Sequence, residues 1–493
     1  MTQDYDFPGM AGASACYNSD MNIDCQRAVN FYPEKVESPH PKKAFVLRPT
    51  QGYALEKDFG KPVRAIHRAS RGFGQYAVSN ALVVIAGAEI WQKPGAEDGE
   101  WQMLGSLNRG EGIVSIADDG VAMLVCDEEY AWRVEFENPA VRRLEKLTDI
   151  PVEPASCAVV GSYTVVTGRE LDSTAEESNR FYVSGVLDNS KFPAMDFYTA
   201  ASFFSPIKAL AACGGMLWVM GDEGVEAWQS TGNSNQPLMP VSGMFFGGCG
   251  LLGQRAYAAS GDALFWLGQG ERGNAVAYVA LPSGAPRRAS TVAIEEEWRG
   301  YGDLKHCVAS HYAAGGHSFF MLTFMESGKT WAFDLEAGLW HERMSGPAGS
   351  RRAWDPFMAK AVQNKLYGAN PGGRLYAIGE PELGEDGQPV LRRRTSPAVD
   401  TQERRAVHRC LTVSMQAGTG DIKIMLRCSD DNGYTWGGLR TLVLGRTGQY
   451  SRIAQFRQLG SARRRVYELE ASDPVGVSIV RASIAMEIMG VRS

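Results

Sequence analysis

One motif recurs along this chain and governs what it can become. It is an apolar strand, a turn built on Gly, Asn or Asp, and a second strand that ends beside an aromatic residue. It occurs at Ala81–Trp91, at Val121–Trp132, and at Ala158–Val166 resuming at Arg180–Ser184. It returns at Gly215–Trp228, and at Ala263–Gly268 answered by Ala275–Val279. Ser318–Phe324, answered by Thr330–Asp334 and Gly338–Trp340, and Lys365–Ala369, answered by Gly373–Ile378, complete the series. Alternating apolar and polar residues cut by such turns are the signature of antiparallel hairpins. The starts lie roughly 40–55 residues apart, the range of propeller blades. A lone hairpin cannot bury its apolar face, whereas sheets arranged radially cover one another. The 55 Gly and the 10% aromatic content suit strands and tight turns. The expectation is an all-β fold, an irregular β-propeller of six or seven blades over about residues 70–380. The same strands would also allow a stack of two β-sandwiches, and no WD or kelch consensus fixes the blade count.

The flanks read differently. In residues 1–69, Gly9, Gly12, Pro33, Pro39, Pro41, Pro49 and Gly52 interrupt any long element. This predicts an extended N-terminal arm, suited to reaching an adjacent subunit, whose removal over 1–60 would leave a folded monomer unable to form rings. Residues 381–390 are acidic and rich in Gly and Pro, a linker. Residues 391–493 read as a compact antiparallel β domain with strands at Leu411–Met415, Ile422–Cys428, Val466–Glu470 and Val477–Val480. Ile422, Ile424 and Leu426 share one of its faces.

Charge divides along the same boundary. From Leu391 to Ser493 there are 17 Lys+Arg against 9 Asp+Glu, so that part carries +8 and the rest of the chain −14. Solvated arginines would produce this, as would a surface that docks an acidic partner. The arginine runs Arg392–Arg394, Arg404-Arg405 and Arg463–Arg465 suit carboxylates or phosphates. Too few aromatics interleave them for a single-strand groove, so salt bridges between subunits or proteins are the expected use. The nine Cys are scattered without a Cys-x-x-Cys, which reads as reduced thiols. The first ten residues carry Asp4 and Asp6 and no Lys or Arg, which predicts no secretory leader. The apolar stretch near Ala81–Ala88 is far shorter than the ~20 residues that cross a bilayer, so no membrane insertion is expected.

Few groups point to chemistry. Ser429–Trp436 matches Ser-x-Asp-x-Gly-x-x-Trp, the Asp-box turn of sialidases and other propellers. Asp431 would accept backbone N–H groups, Gly433 would supply positive φ, and Trp436 would pack on the hairpin. Sialidases carry several copies with an arginine cluster, a Tyr nucleophile and an acid; one copy here leaves a carbohydrate-active propeller enzyme, a sialidase-like glycosidase, as the alternative. His306, Cys307, His311 and His317 lie close in sequence, but strands would scatter them to different faces, and His341 beside Trp340 is equally ordinary. Glu295–Trp298 reads as a solvated turn or an interface patch. No Gly-x-Ser-x-Gly elbow or Walker A is present. No catalytic, cofactor-binding or metal residue is assigned, and no cofactor is expected.

Three stretches carry a resemblance. Cys25–Val36 followed by Phe45–Gly52, with Asn30, Tyr32, Pro33 and Glu34 in place, resembles the opening of the podovirus packaged-DNA stabilisation proteins, the family that includes the tail accessory factor of P22-type phages. Gln51 stands where that family usually has Pro. Leu217–Gly232 is similar to a hairpin of the family, as is Arg427–Trp436 with the basic Arg463–Arg465 that follows. The resemblance implies a non-enzymatic bacteriophage structural protein of the virion tail, made in the host bacterial cytoplasm. It implies a homo-oligomer, a hexamer, forming the hub or nozzle below the portal and its adaptor, the head–tail connector. Such a ring extends and closes the DNA channel, stabilises packaged double-stranded DNA that passes without sequence readout, and anchors a tail needle, fibres or spikes. An acidic lumen would repel phosphates, and the body's −14 is compatible with that.

Overall fold

The computed structural model describes residues 3–12, 26–36, 45–69, 80–93, 99–135, 144–171, 178–270, 273–282, 284–347, 349–379, 383–401, 404–417, 421–444 and 451–489. Among them the chain is almost entirely β: the helices are one 3-10 turn, Pro8–Met10, and one α-helix, Val292–Arg299.

The seven hairpins seen in the sequence are the middle of seven four-stranded units. Blade 1 runs from Val63 to Ser106, blade 2 from Ser115 to Lys146 and blade 3 from Val152 to Thr199. Blade 4 spans Ile207–Gly247, blade 5 Tyr257–Arg288 and blade 6 Val308–Ser345. Blade 7 joins the strands of Met358–Ile378 to Tyr53–Asp58, which lies antiparallel to Arg374–Ile378 and closes the ring. Six of these units stand as separate four-stranded sheets, and blade 6 continues into a larger 11-stranded sheet. The fold is thus the expected irregular propeller.

The apolar core lies between blades, as radial packing requires. Val83, Ile85, Met123 and Val125 join blades 1 and 2, and Leu124, Cys126, Cys157 and Val166 join blades 2 and 3. Trp218, Trp266, Trp331 and Trp340 run through blades 4 to 6. Val362 and Leu375 of blade 7 meet Val63 and Val84 of blade 1, so the last contact is as apolar as the rest. Each large side chain buried this way contributes roughly 1.5–3 kcal/mol. Turn chemistry fixes the hairpins. In blade 2 the buried Asp127 carboxylate accepts from the N–H of Tyr130 (2.7 Å) and from the indole of Trp132 (3.0 Å). In blade 1 the turn needs Gly87 at φ +55°.

Residues 391–493 build two facing sheets. One contains Ala406–Ala417, Ser451–Arg457 and Val477–Ile488; the other contains Arg392–Thr395, Arg464–Ala471, Ile422–Ser429 and Arg440–Leu444. Leu411, Val413 and Ile484 face Ile422, Ile424 and Leu426 across the interior. Residues 1–69 complete this structure. Gln3–Asp6 pairs with Val477–Ile488, and the hairpin Phe31–Lys35/Phe45–Pro49 extends the same sheet. Tyr53–Asp58 and Val63–Ala69, read from sequence as arm, are propeller strands. The segment looks irregular in sequence because its strands are short and separated by Gly and Pro, yet each described strand has its partner within the chain.

Glu295–Trp298 is corrected too. It belongs to the Val292–Arg299 helix, capped by Thr291, with Glu295 and Trp298 buried. The Glu295 carboxylate binds Arg288 (2.6 Å) and Ser290 (2.5 Å), so the charge run faces partners on one side.

Candidate functional surfaces and the interdomain junction

The propeller and the two-sheet domain are welded by a two-residue strand. Ala28–Val29 runs parallel to Leu339–Ser345, the outer strand of blade 6, and antiparallel to Arg392–Thr395. Backbone pairing therefore passes without a break from blade 6 into the C-terminal domain. Asn30 locks the crossing. Its side chain donates to the carbonyls of Met344 (2.9 Å) and Leu391 (3.0 Å) and accepts from the Met344 N–H (3.1 Å). It sits at φ +54°, where Asn is tolerated better than most residues. Tyr32, two residues on, packs against His317 and Phe319 of blade 6, each at 5.2 Å between centroids.

Around this strand lies a nest of buried charges. Arg27 makes a two-pronged ion pair with Glu342, one prong at 2.9 Å. Glu342, nearest and strongest, raises the Arg27 pKa against the lowering by burial. Arg393 reaches Glu468 (3.1 Å) and Glu470 (2.6 Å), and Glu468 also accepts from Arg427 (2.7 Å) and Thr395 (2.9 Å). Arg392 and Arg394 are fully buried. Arg394 holds the carbonyls of Gly9 and Gly12, and Arg392 the carbonyl of Leu383 (2.9 Å). Burial pushes Arg392 down to about 10. The run Arg392–Arg394 thus binds the chain to itself and is not a docking surface: its acceptors come from sequence-distant strands that only folding brings near. In Arg463–Arg465, Arg465 is likewise buried and clasps Asp430 at 2.5 and 2.6 Å, while Arg463 is exposed, as are Arg404 and Arg405.

The expected linker is also pinned. Glu385 is buried, accepts from the Gly346 N–H (3.3 Å), and burial pushes its carboxyl up to about 7.

The Asp-box turn forms as its sequence requires. Asp431 accepts from the N–H (2.8 Å) and hydroxyl (2.5 Å) of Thr435, Gly433 has φ +96°, and its N–H donates to Ser429 Oγ (2.7 Å). Hydrogen bonds from Ser429 and Thr435 hold the Asp431 carboxylate down to about 2. Trp436 lies under the Arg427 guanidinium at 4.8 Å. This is a brace for one hairpin.

The four clustered residues part company. His306 is exposed beside Asp303 and Glu326, Cys307 is fully buried, and His311 binds Ser318 Oγ (2.8 Å). His317 instead meets Asp334 (2.7 Å) and Glu336 from the neighbouring strand and turn. Sequence reading missed this trio because two members arrive from across the hairpin. They satisfy one another: Asp334 also accepts from the backbone of Glu336, and Glu336 from the N–H of Ser318. His341 is fully buried, and burial holds it far below the usual imidazole range. The described cysteines are all free; Cys16 and Cys25 lie outside the described residues. Among the described residues no helix is long and apolar enough to cross a membrane.

The exposed apolar surface gathers elsewhere. Phe204 is 93% exposed, next to Phe203, whose ring stacks on the exposed Phe245 at 6.4 Å. Phe245 belongs to Gln236–Gly247, the 12-residue outer strand of blade 4, whose residues are mostly exposed. Pro237 and Pro240 interrupt its open edge, a device that restrains uncontrolled strand pairing.

A propeller fused through its own backbone to a sandwich, with Arg392 and Arg394 buried beside that fusion and bulky apolar groups displayed at blade 4, has the build of a structural assembly protein. The chain belongs to the family of bacteriophage P22 Gp10: the family's β-propeller matches residues 27–367 and its β-sandwich residues 392–487. This is a family of phage structural proteins. Among curated proteins none matches in sequence. Among solved structures, the WD40 β-propeller domain of Doa1 is 9% identical with a TM-score of 0.40, over 67% of this chain and 97% of that one. The N-terminal domain of Nup159 is 11% identical with a TM-score of 0.40, over 72% and 98%. Hydrazine synthase from Kuenenia stuttgartiensis is 10% identical with a TM-score of 0.43, over 66% and 97%.

Proposed function

We propose that this chain is the hub or nozzle subunit of a phage tail. In this reading it assembles as a homo-hexameric ring below the portal and its adaptor, extends and closes the DNA channel, stabilises the packaged genome and anchors a needle, fibres or spikes. The observation that carries the reading is the family match over both domains in their order. Two features support it. The weld at Ala28–Val29 makes propeller and sandwich one mechanical body, as a part that bears pressure from packaged DNA requires. The Phe204–Phe245 corner of blade 4 offers apolar area to a neighbouring subunit, and a closed ring needs such a heterologous contact. Net charge of −14 over residues 1–390 supports a lumen that passes DNA without gripping it. The glycosidase alternative gains nothing, since the single Asp box braces a hairpin and the buried arginines hold internal acceptors. Quantitative mass spectrometry of purified particles tests the proposal. The expected result is this chain in the particles at about six copies per tail; its absence from particles overturns the proposal.

A further inference from the structure

The strand Arg464–Ala471 runs from one end of the C-terminal domain to the other. Its last residue, Ala471, pairs with Arg392 beside the linker. Its first lies at the far end, where Arg404, Arg405, Arg440, Arg457 and Arg463 are all exposed. Backbone contacts gather these five. Ala406 lies opposite Ala462, which puts Arg405 beside Arg463, and the Thr401 hydroxyl reaches the carbonyls of Arg404 and Arg463. Arg440 Nη1 donates to the Arg457 carbonyl (2.8 Å). Like charges set side by side across a sheet repel. Where these side chains meet a side-chain acceptor among the described residues it is neutral: Ser461 for Arg405 (3.1 Å) and Gln455 for Arg457 (2.9 Å). The ion pairs at this end belong to others, Asp430 to Arg465 and Glu487 to Arg409 (3.0 Å). Leu439, 52% exposed, precedes Arg440, and Met489, 48% exposed, donates its N–H to the Arg405 carbonyl (2.8 Å).

The blade 4 corner is the counterpart of this surface. Asp222 and Glu223 form the turn between Met216–Gly221 and Gly224–Asn233. The Glu223 N–H donates to Ser205 Oγ (3.2 Å), which sets the turn beside Phe203 and Phe204, and Gly224 lies against the Phe245 ring. Glu223 is exposed; Asp222 is half-buried and pairs with Lys208. One surface is thus apolar and acidic and the other apolar and basic, in parts of the chain that carry −14 and +8. A heterologous contact joins two different surfaces of one chain, and each copy here owns both. Leu439, Met489 and the carboxylate of Glu487 among the arginines suit a protein face better than a phosphate backbone.

We propose that the far end of the sandwich of one copy docks on the blade 4 corner of the next, with Leu439 and Met489 covering Phe204 and Phe245 while Arg440 and Arg457 face Glu223. This rests on the reading of the chain as a ring-forming tail subunit and supplies the second surface of its contact. Opposite charges across it fix which surfaces meet and in what register.

Phage particles carrying charge-reversed chains test this, with the full chain quantified per tail by mass spectrometry. Arg440→Glu with Arg457→Glu, and separately Glu223→Arg, are each expected to cut incorporation by about tenfold or more, because like charges then meet across the contact. All three substitutions in one chain are expected to restore it to within about twofold of the parent. The three positions are exposed, so each unassembled variant keeps the melting temperature of the parent. Should a reversal unfold the chain, Arg457→Gln and Glu223→Gln take its place, and their effects on incorporation are expected to be coupled in a double-mutant cycle. Parental incorporation of the folded, reversed chains overturns the docking, while the presence of the chain in particles upholds the tail reading. Loss without rescue overturns the docking too. So does binding of the unassembled parent to a mixed-sequence DNA duplex at about 150 mM NaCl that the arginine reversal abolishes. Absence of the parent chain from particles overturns the tail reading and the docking together.

Discussion

Blade 6 and blade 4 are built from the same four-stranded plan and end differently. The outer strand of blade 6, Leu339–Ser345, is almost wholly buried, because Ala28–Val29 lies along it and carries the sheet into the sandwich. The outer strand of blade 4, Gln236–Gly247, keeps an open edge and an exposed Phe245. A propeller's outer strands are the edges that face away from its axis, where another chain can pair. This molecule closes one of them by backbone hydrogen bonding to its own N-terminal segment, and leaves another long and apolar. The difference teaches where the chain is finished and where it is prepared for something else.

The most severe way to break this contrast is to delete residues 1–60. That removes the closing strand Tyr53–Asp58, the weld at Ala28–Val29 and three strands of the sandwich sheet. The expected outcome is loss of any cooperative unfolding transition, read by circular dichroism. A folded monomer, the outcome the sequence alone suggested, would show that the N-terminal strands are accessory.

A finer cut is Arg27→Ala. It leaves Glu342 buried without its cation, which costs about 3–5 kcal/mol in urea denaturation. The same truncation of the exposed Arg404 changes stability by about 0.5 kcal/mol or less.

Acid probes both domains at once. His311 and His408 are held down to about 4, and His341 is held well below the usual imidazole range, chiefly by burial. Each is neutral when folded, and the unfolded chain binds more protons below about pH 6.5. Stability therefore falls as pH drops from about 6.5 towards 4. Glu385, raised to about 7, acts in the opposite sense, lowering stability as pH rises from about 4.5 to 7. His408→Gln is expected to flatten the acid limb of a plot of melting temperature against pH, and Glu385→Gln the neutral one.

Phe204→Ser, at a position 93% exposed, also changes folding stability by only about 0.5 kcal/mol or less. Its expected effect on ring assembly is large. Chemical cross-linking of assembled tails would show neighbours joined at blade 4 in the parent chain and not in the variant.

What the sequence disclosed follows from this architecture. The second and third strands of each blade are buried between neighbours, so Leu82–Ile85 or Phe319–Phe324 announce themselves by apolar runs. The inner strands do not, because Arg64, His67, Arg68 and Lys360 line the cavity at the centre of the propeller and break the alternation. Outer strands such as Arg287–Arg288 are too short to carry a period. The weld was illegible for the same reason, although Asn30 and Tyr32 stood in the family pattern. Arg392–Arg394 read as a surface because nothing local reveals that Glu342, Glu468 and Glu470 come to meet the junction. The helix at Val292–Arg299 had a signal that went unused: Thr291 at the cap, with Ile294 and Trp298 four residues apart.

In the proposed tail ring, propeller and sandwich form one welded body and blade 4 faces the neighbouring subunit. A cryo-electron microscopy map of the tail of the phage that encodes this chain tests it most directly. The expected map shows a ring in which Phe204 and Phe245 are covered by the adjacent subunit while the Ala28–Val29 junction stays within each subunit. Blade 4 open to solvent in the assembled ring would contradict it, as would tails that lack the chain.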